Sequence, residues 1–170
     1  MEILFENNYT RNKEWAKDCH GYICFRRPTM IVFQIICILY FIIGILDSIF
    51  TKSVCWQYIS LALIFYPLIV FVYIRNVNTE IKRDLEIHGK AIEVTLAVTE
   101  DIIKQSSSTG AELQLNYNDI KRVVQTKKYI YLLSKTNTIY SFKKDSFSVG
   151  STNEFLLFLK NKGIKVRGRY

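Results

Sequence analysis

The sequence predicts a membrane α+β protein: a transmembrane helical hairpin, then a small antiparallel β-barrel capped by a C-terminal helix. Three observations carry this. Met30 to Phe50 and Val54 to Ile74 are apolar runs separated only by Thr51, Lys52 and Ser53. From Lys90 onward the apolar residues recur at every second position, the period of a half-buried strand. After Ser151 the period lengthens to that of a helix.

The order of elements begins with an N-terminal arm, residues 1–28. Ile3, Leu4 and Phe5 open a short strand, and Thr10 is placed to cap a helix. Trp15, Cys19, Tyr22 and Ile23 then share one helical face. Such a stripe fits an amphipathic helix at the membrane interface, with Trp15 at headgroup depth. It equally fits a helix packed on the soluble domain. Pro28 suits the first turn of the next helix, where a missing N–H does no harm.

Residues 29–75 form the hairpin. Asp47 is the single formal charge in the first run, and the second has none. At 1.5 Å per residue, about 20 residues cross a hydrocarbon core of about 30 Å. The three-residue break makes the two helices antiparallel neighbours. Gln34 and Asp47 lie near the two ends of the first span, where each can snorkel, and Gln34 can also bond to a neighbouring helix. Pro67 removes a backbone hydrogen bond in the second span and is expected to kink it. Arg26 and Arg27 precede the first run, and Arg75, Lys82 and Arg83 follow the second. Cations mark the cytoplasmic side. The reading is a multi-pass protein of the inner (plasma) membrane, with both termini cytoplasmic and the turn outside.

Residues 76–89 continue the helix through Val77, Ile81, Leu85 and His88 to a stop at Gly89. Residues 90–170 form the cytoplasmic domain. Ile92, Val94, Leu96 and Val98 alternate with polar or small residues. Further strands are expected at Ile102 to Gln105, around Leu113, Leu115 and Tyr117, and at Ile120 to Thr126, Tyr129 to Ser134 and Ile139 to Phe142. Tight connections imply an antiparallel meander. Ser151 and Glu154 have the spacing of a capping box. Phe155, Phe158 and Leu159 then form one apolar stripe, and Gly163 ends the helix. Strands closed by one C-terminal helix are the organisation of a pleckstrin-homology-like (PH-like) barrel.

Certain phrases in this half are similar to a known family. They are Val98-Thr99-Glu100-Asp101-Ile102, Leu115-Asn116-Tyr117-Asn118-Asp119-Ile120-Lys121-Arg122-Val123, Tyr129-Ile130-Tyr131-Leu132, and Lys143-Lys144-Asp145-Ser146-Phe147 ahead of Glu154-Phe155-Leu156. In this order, behind a polar arm and a two-helix hairpin, they resemble the bacterial YcxB-like membrane proteins. The proline usual before the lysine-and-phenylalanine phrase is absent, and Phe142-Lys143 stands there. The resemblance implies a PH-like domain on a membrane anchor and implies no reaction.

Composition narrows the function. The net charge is +8, and from Arg75 onward there are 17 Lys and Arg against 10 Asp and Glu. A basic domain beside an anionic leaflet gains about 1 kcal/mol per cation near the surface. No aromatic-basic motif accompanies the charge, so nucleic acid is not an expected partner. There is no glycine-rich phosphate loop, no nucleophile beside a base and no histidine cluster. The protein is therefore read as a non-enzyme with no catalytic residue and no cofactor. Cys19, Cys24, Cys37 and Cys55 lack the spacing of zinc ligands and read as free thiols, with no metal expected. Glu100-Asp101 reads as a turn.

The expected function is a membrane-anchored binding or scaffolding protein that presents its cytoplasmic domain to a protein or to the inner leaflet. The alternative is an accessory subunit of a membrane transport or immunity complex, contacted through the hairpin. The expected partners are the lipid bilayer, an unidentified protein and a second copy of the chain. Candidate membrane-surface contacts are Arg26, Arg27, Lys127, Lys128, Lys143 and Lys144.

Overall fold

Short alternating segments and long apolar ones separate in the structure as the sequence periods require. The structure is a computed structural model and describes residues 2–53 and 56–168. Cys55, expected at the outer end of the second span, lies outside the described residues. The chain forms two compact units, one of Met1–Asn12 with Asp84–Tyr170 and one of Lys13–Arg83.

The first unit is built on β1 (Phe5–Thr10), β2 (Glu93–Val98), β3 (Ile102–Ser107), β4 (Glu112–Asn116), β5 (Ile120–Gln125), β6 (Tyr129–Ser134), β7 (Ile139–Lys143) and β8 (Phe147–Val149). A helix, α4 (Thr152–Asn161), and a two-residue strand, β9 (Val166–Arg167), complete it. One sheet has the order β4-β3-β2-β1-β8 and the other β7-β6-β5-β9.

These are two sheets and not the closed barrel expected from the sequence. The meander breaks at a 3-10 turn, Tyr117–Asp119, between β4 and β5. It breaks again where the chain leaves β7 to pair β8 with β1. At both seams side chains replace the ladder. The Tyr140 hydroxyl donates to Gln114 O at 3.2 Å, and the Asn7 amide bonds the backbone of Lys143. Pairing is antiparallel throughout except between β5 and β9, which are parallel.

The sequence reading sets Phe5 in an arm ahead of the hairpin. In the structure Phe5–Thr10 is an interior strand, paired with β2 from Phe5↔Val98 to Thr10↔Glu93 and with β8 on its other side. Phe5, Asn7 and Tyr9 point inward and are buried. Thr10 is thus a strand end and caps no helix. The core includes Leu96, Val98, Ile103, Val123 and Phe142, and β6 is buried along its whole length.

The terminal helix is held as its sequence predicts. Ser151 Oγ accepts from Glu154 N at 3.3 Å and donates to the Glu154 carboxylate at 2.7 Å. Phe155 and Leu159 are fully buried, while Phe158 is half-buried. Phe155 lies 4.5 Å from the Phe142 ring and 5.5 Å from Phe5, centroid to centroid.

The second unit holds α1 (Lys13–Gly21), a π-helical turn at Tyr22–Arg26, α2 (Pro28–Thr51) and most of α3 (Trp56–His88). Trp15, Cys19 and Tyr22 are buried, so their stripe is a packed face. Pro28 occupies the start of α2 and Lys52 ends it in the left-handed region (φ 54°). Ring contacts pair Phe25 with Tyr73, Phe33 with Phe65 and Tyr40 with Tyr58. Equal steps forward on one side and back on the other define antiparallel neighbours. α3 runs unbroken through Pro67 to His88, and Gly89 (φ 69°) returns its N–H to Leu85 O. Both α2 and α3 are long and apolar enough to cross a membrane.

Candidate functional site

The β6–β7 hairpin gathers four of the six candidate cations. Thr126, fully buried, turns the chain into β6: its backbone N–H bonds Tyr129 O at 2.8 Å, and its Oγ1 accepts from Tyr129 N at 3.0 Å. That turn lifts Lys127 and Lys128 into solvent. Tyr129 stands opposite Lys143 in the ladder, and Lys144 N donates to Lys128 O at 2.9 Å. The register therefore brings Lys127, Lys128, Lys143 and Lys144 to one corner.

The lysines are not equivalent. Lys143 and Lys144 are half-buried. The Lys144 ammonium turns back to donate to Thr126 O at 2.5 Å, which helps hold the turn. Lys127 and Lys128 are the outward pair. Arg26 and Arg27 lie in the helical unit, Arg26 ending the π-helical turn and Arg27 preceding α2.

Behind the corner sits a residue that sequence reasoning missed. The Asn7 Nδ2 donates to Lys143 O at 2.8 Å, and Lys143 N donates to Asn7 Oδ1 at 3.0 Å. No local pattern marks it, because its partner is far away in sequence. Two other pairs were also missed. His20 Nε2 meets Glu80 Oε2 at 2.6 Å, and Arg11 lies 3.8 Å from the buried Asp84.

The Glu100-Asp101 turn has a structural partner: Glu100 receives Lys162 at 2.5 Å. The Lys162 ammonium also lies over the Tyr117 and Phe158 rings. Tyr117 donates to Thr99 O at 2.5 Å, and its hydroxyl is pushed up by burial first and then by the charges of Glu100 and Asp101. Cys19 and Cys24 are buried, and burial pushes the Cys24 thiol up, which disfavours the reactive thiolate. Among the described residues no group of three His, Cys, Asp or Glu is placed to hold a metal.

The helical unit has one further feature. An apolar cleft of about 280 Å³ opens between α2 and α3, walled by Gln34, Cys37 and Phe41 on one side and Leu63 and Tyr66 on the other.

No curated protein and no solved structure matches the chain. The model of one family, described as YcxB-like protein, does match, over residues 98–159, from the end of β2 to α4. The stretch that builds the lysine corner and its supporting helix is therefore YcxB-like, and the match stops short of the two long apolar helices.

Proposed function

We propose that this chain is a membrane-anchored, non-catalytic binding protein. The apolar parts of α2 and α3 cross the plasma membrane, both ends stay on the cytoplasmic side, and the strand unit, PH-like in organisation, presents its lysine corner to the inner leaflet or to a protein. The observation that carries the reading is the connection between the units. β1 and β2 are hydrogen-bonded neighbours, and the helical segment is the excursion between them. The strand unit is thus tied to the proposed spans at two adjacent points.

Exposure supports the spans. Only 6% of the most apolar window of α2 and none of that of α3 is buried. A core helix of a soluble protein hides its apolar stripe, whereas these helices are apolar all round. Lipid is the environment that removes that cost. Arg26, Arg27, Arg75, Lys82 and Arg83 at one end support the orientation. Lys127 and Lys128 supply cations that gain about 1 kcal/mol each near anionic headgroups, screened over about 8 Å at physiological salt. An accessory-subunit role has one observation in its favour, the cleft of the hairpin.

The test uses single cysteines in the full chain lacking its native ones. Lys52→Cys should label from outside intact cells, and Ser107→Cys only after the membrane is opened. Label at Ser107 in intact cells sinks the orientation. In vesicles, Asp145→Cys beside the corner should label more slowly with anionic than with neutral lipid, and salt should erase the difference. Replacing Lys127, Lys128, Lys143 and Lys144 with Gln should erase it too. If that variant keeps the difference, the leaflet is not what the corner meets.

A further inference from the structure

The cleft between α2 and α3 holds polar groups whose needs the chain does not meet. Gln34 is half-buried nearly two turns inside α2. Its Nε2 donates to Phe25 O at a long 3.4 Å, and its Oε1 accepts no hydrogen bond among the described residues. The Tyr66 hydroxyl across the cleft likewise has no partner among the described residues, while the walls around both are apolar.

We infer that a second copy of this chain docks on this cleft, with Gln34 paired to Gln34. The inference rests on the membrane reading. In hydrocarbon a carbonyl oxygen without a donor is costly, and acyl chains offer none. All copies insert with the same orientation, because the flanking cations set it. A two-fold axis along the membrane normal then puts the same residue of each copy at the same depth. A carboxamide carries both donor and acceptor, so two of them close a reciprocal pair across such an axis. Side chains of this kind hold helices together in membranes. A single-sign group would repel its own copy there, and an apolar one would gain nothing specific. The chemistry of Gln34 is self-complementary, and the cleft gives the partner's side chains room to enter.

Cys37 provides the readout, since it shares the cleft wall one turn from Gln34. The full chain with Cys19, Cys24 and Cys55 changed to Ser is treated in membranes with copper-phenanthroline, and carbonate extraction is run in parallel. A Cys37-linked dimer is expected on a non-reducing gel. A control carrying Cys37→Ala and Ile36→Cys, whose thiol lies on the far side of α2, should stay monomeric. Gln34→Leu should weaken association by about tenfold while leaving the chain carbonate-resistant. Linkage at Ile36→Cys equal to that at Cys37, no linkage at Cys37 in a carbonate-resistant chain, or undiminished linkage in Gln34→Leu each overturns the proposal and leaves the membrane reading standing. A chain that carbonate releases overturns both.

Discussion

Asn7 stands in for a neighbouring strand to Lys143. β7 is an edge strand, and the N–H and C=O of Lys143 point away from β6, where no ladder receives them. The Asn7 carboxamide reaches from the other sheet and satisfies both, at 3.0 and 2.8 Å. This seam is bridged by a fully buried side chain.

Asn7→Leu keeps the branched shape and removes both bonds. Lys143 O keeps the Ser146 N–H at 3.2 Å, so the one backbone N–H left without a partner should cost about 1–3 kcal/mol in urea unfolding. A midpoint equal to that of the parent would mean that the seam does not depend on Asn7.

The strand unit should fold without the helices only if β1 is kept. Thr10 and Glu93 are paired, and Arg11 N bonds Ile92 O at 2.8 Å, so a short turn can replace the excursion. A chain joining residues 2–11 to 92–168 through Asn-Gly should give a cooperative melt. Residues 90–170 alone should not, because an interior strand is missing. A cooperative melt of that shorter piece would show β1 to be dispensable.

Gly150 has a φ of 74°, and a Cβ there would lie 2.4 Å from Phe5 Cδ1. Gly110 has a φ of 82° with nothing within 4 Å. Both alanine variants meet the left-handed backbone cost of about 1–2 kcal/mol. Gly150→Ala must also displace a core ring and should lower the melting temperature clearly more than Gly110→Ala. Equal shifts would mean that Phe5 yields freely.

Phe155→Ala should cost about 3–5 kcal/mol, since the ring is fully buried among Phe5, Phe142 and Phe147. Phe158→Ala should cost less, because the ring is half-exposed under Lys162. Denaturation of the two variants side by side checks the order, and a reversed order would place the core elsewhere.

Tyr117 gives a pH signature. The fold holds its proton above the usual 10, so the unfolded chain releases it first. The stability it contributes is full below pH 10 and is lost as pH rises past that value. The parent should therefore lose stability more steeply than Tyr117→Phe above pH 10. Parallel profiles would mean that the hydroxyl is not held by the fold.

Periodicity made most of the strand unit legible. β2 and β4 alternate and β6 runs apolar, and the ends of the strands from β2 to β7 fall within two residues of the structure. Ser151 and Glu154 fixed the start of α4. What escaped was pairing at a distance. β1 reads Phe-Glu-Asn-Asn-Tyr-Thr, and the inward Asn7 hides its alternation. β8 and β9 are too short to carry a period. A closed barrel is the simplest closure of a meander, and the break at Tyr117–Asp119 together with the pairing of β8 with β1 rules it out. At the corner, the lysine pairs were visible because each flanks a strand of one hairpin. Asn7 was not, because a buried amide looks like a loop residue until its partner is known.

The pairing of β1 with β2 also sets an order of manufacture. β1 leaves the ribosome first, and its neighbour follows about 80 residues later. At about 5–20 residues per second, Phe5 and Tyr9 wait on the order of 4–16 s with both edges of their strand open. A nascent chain stalled within the helices keeps that strand exposed to proteases and to other open edges. Completion of the sheet thus marks a chain whose helical segment has been made in full, and turnover of stalled chains can begin at β1.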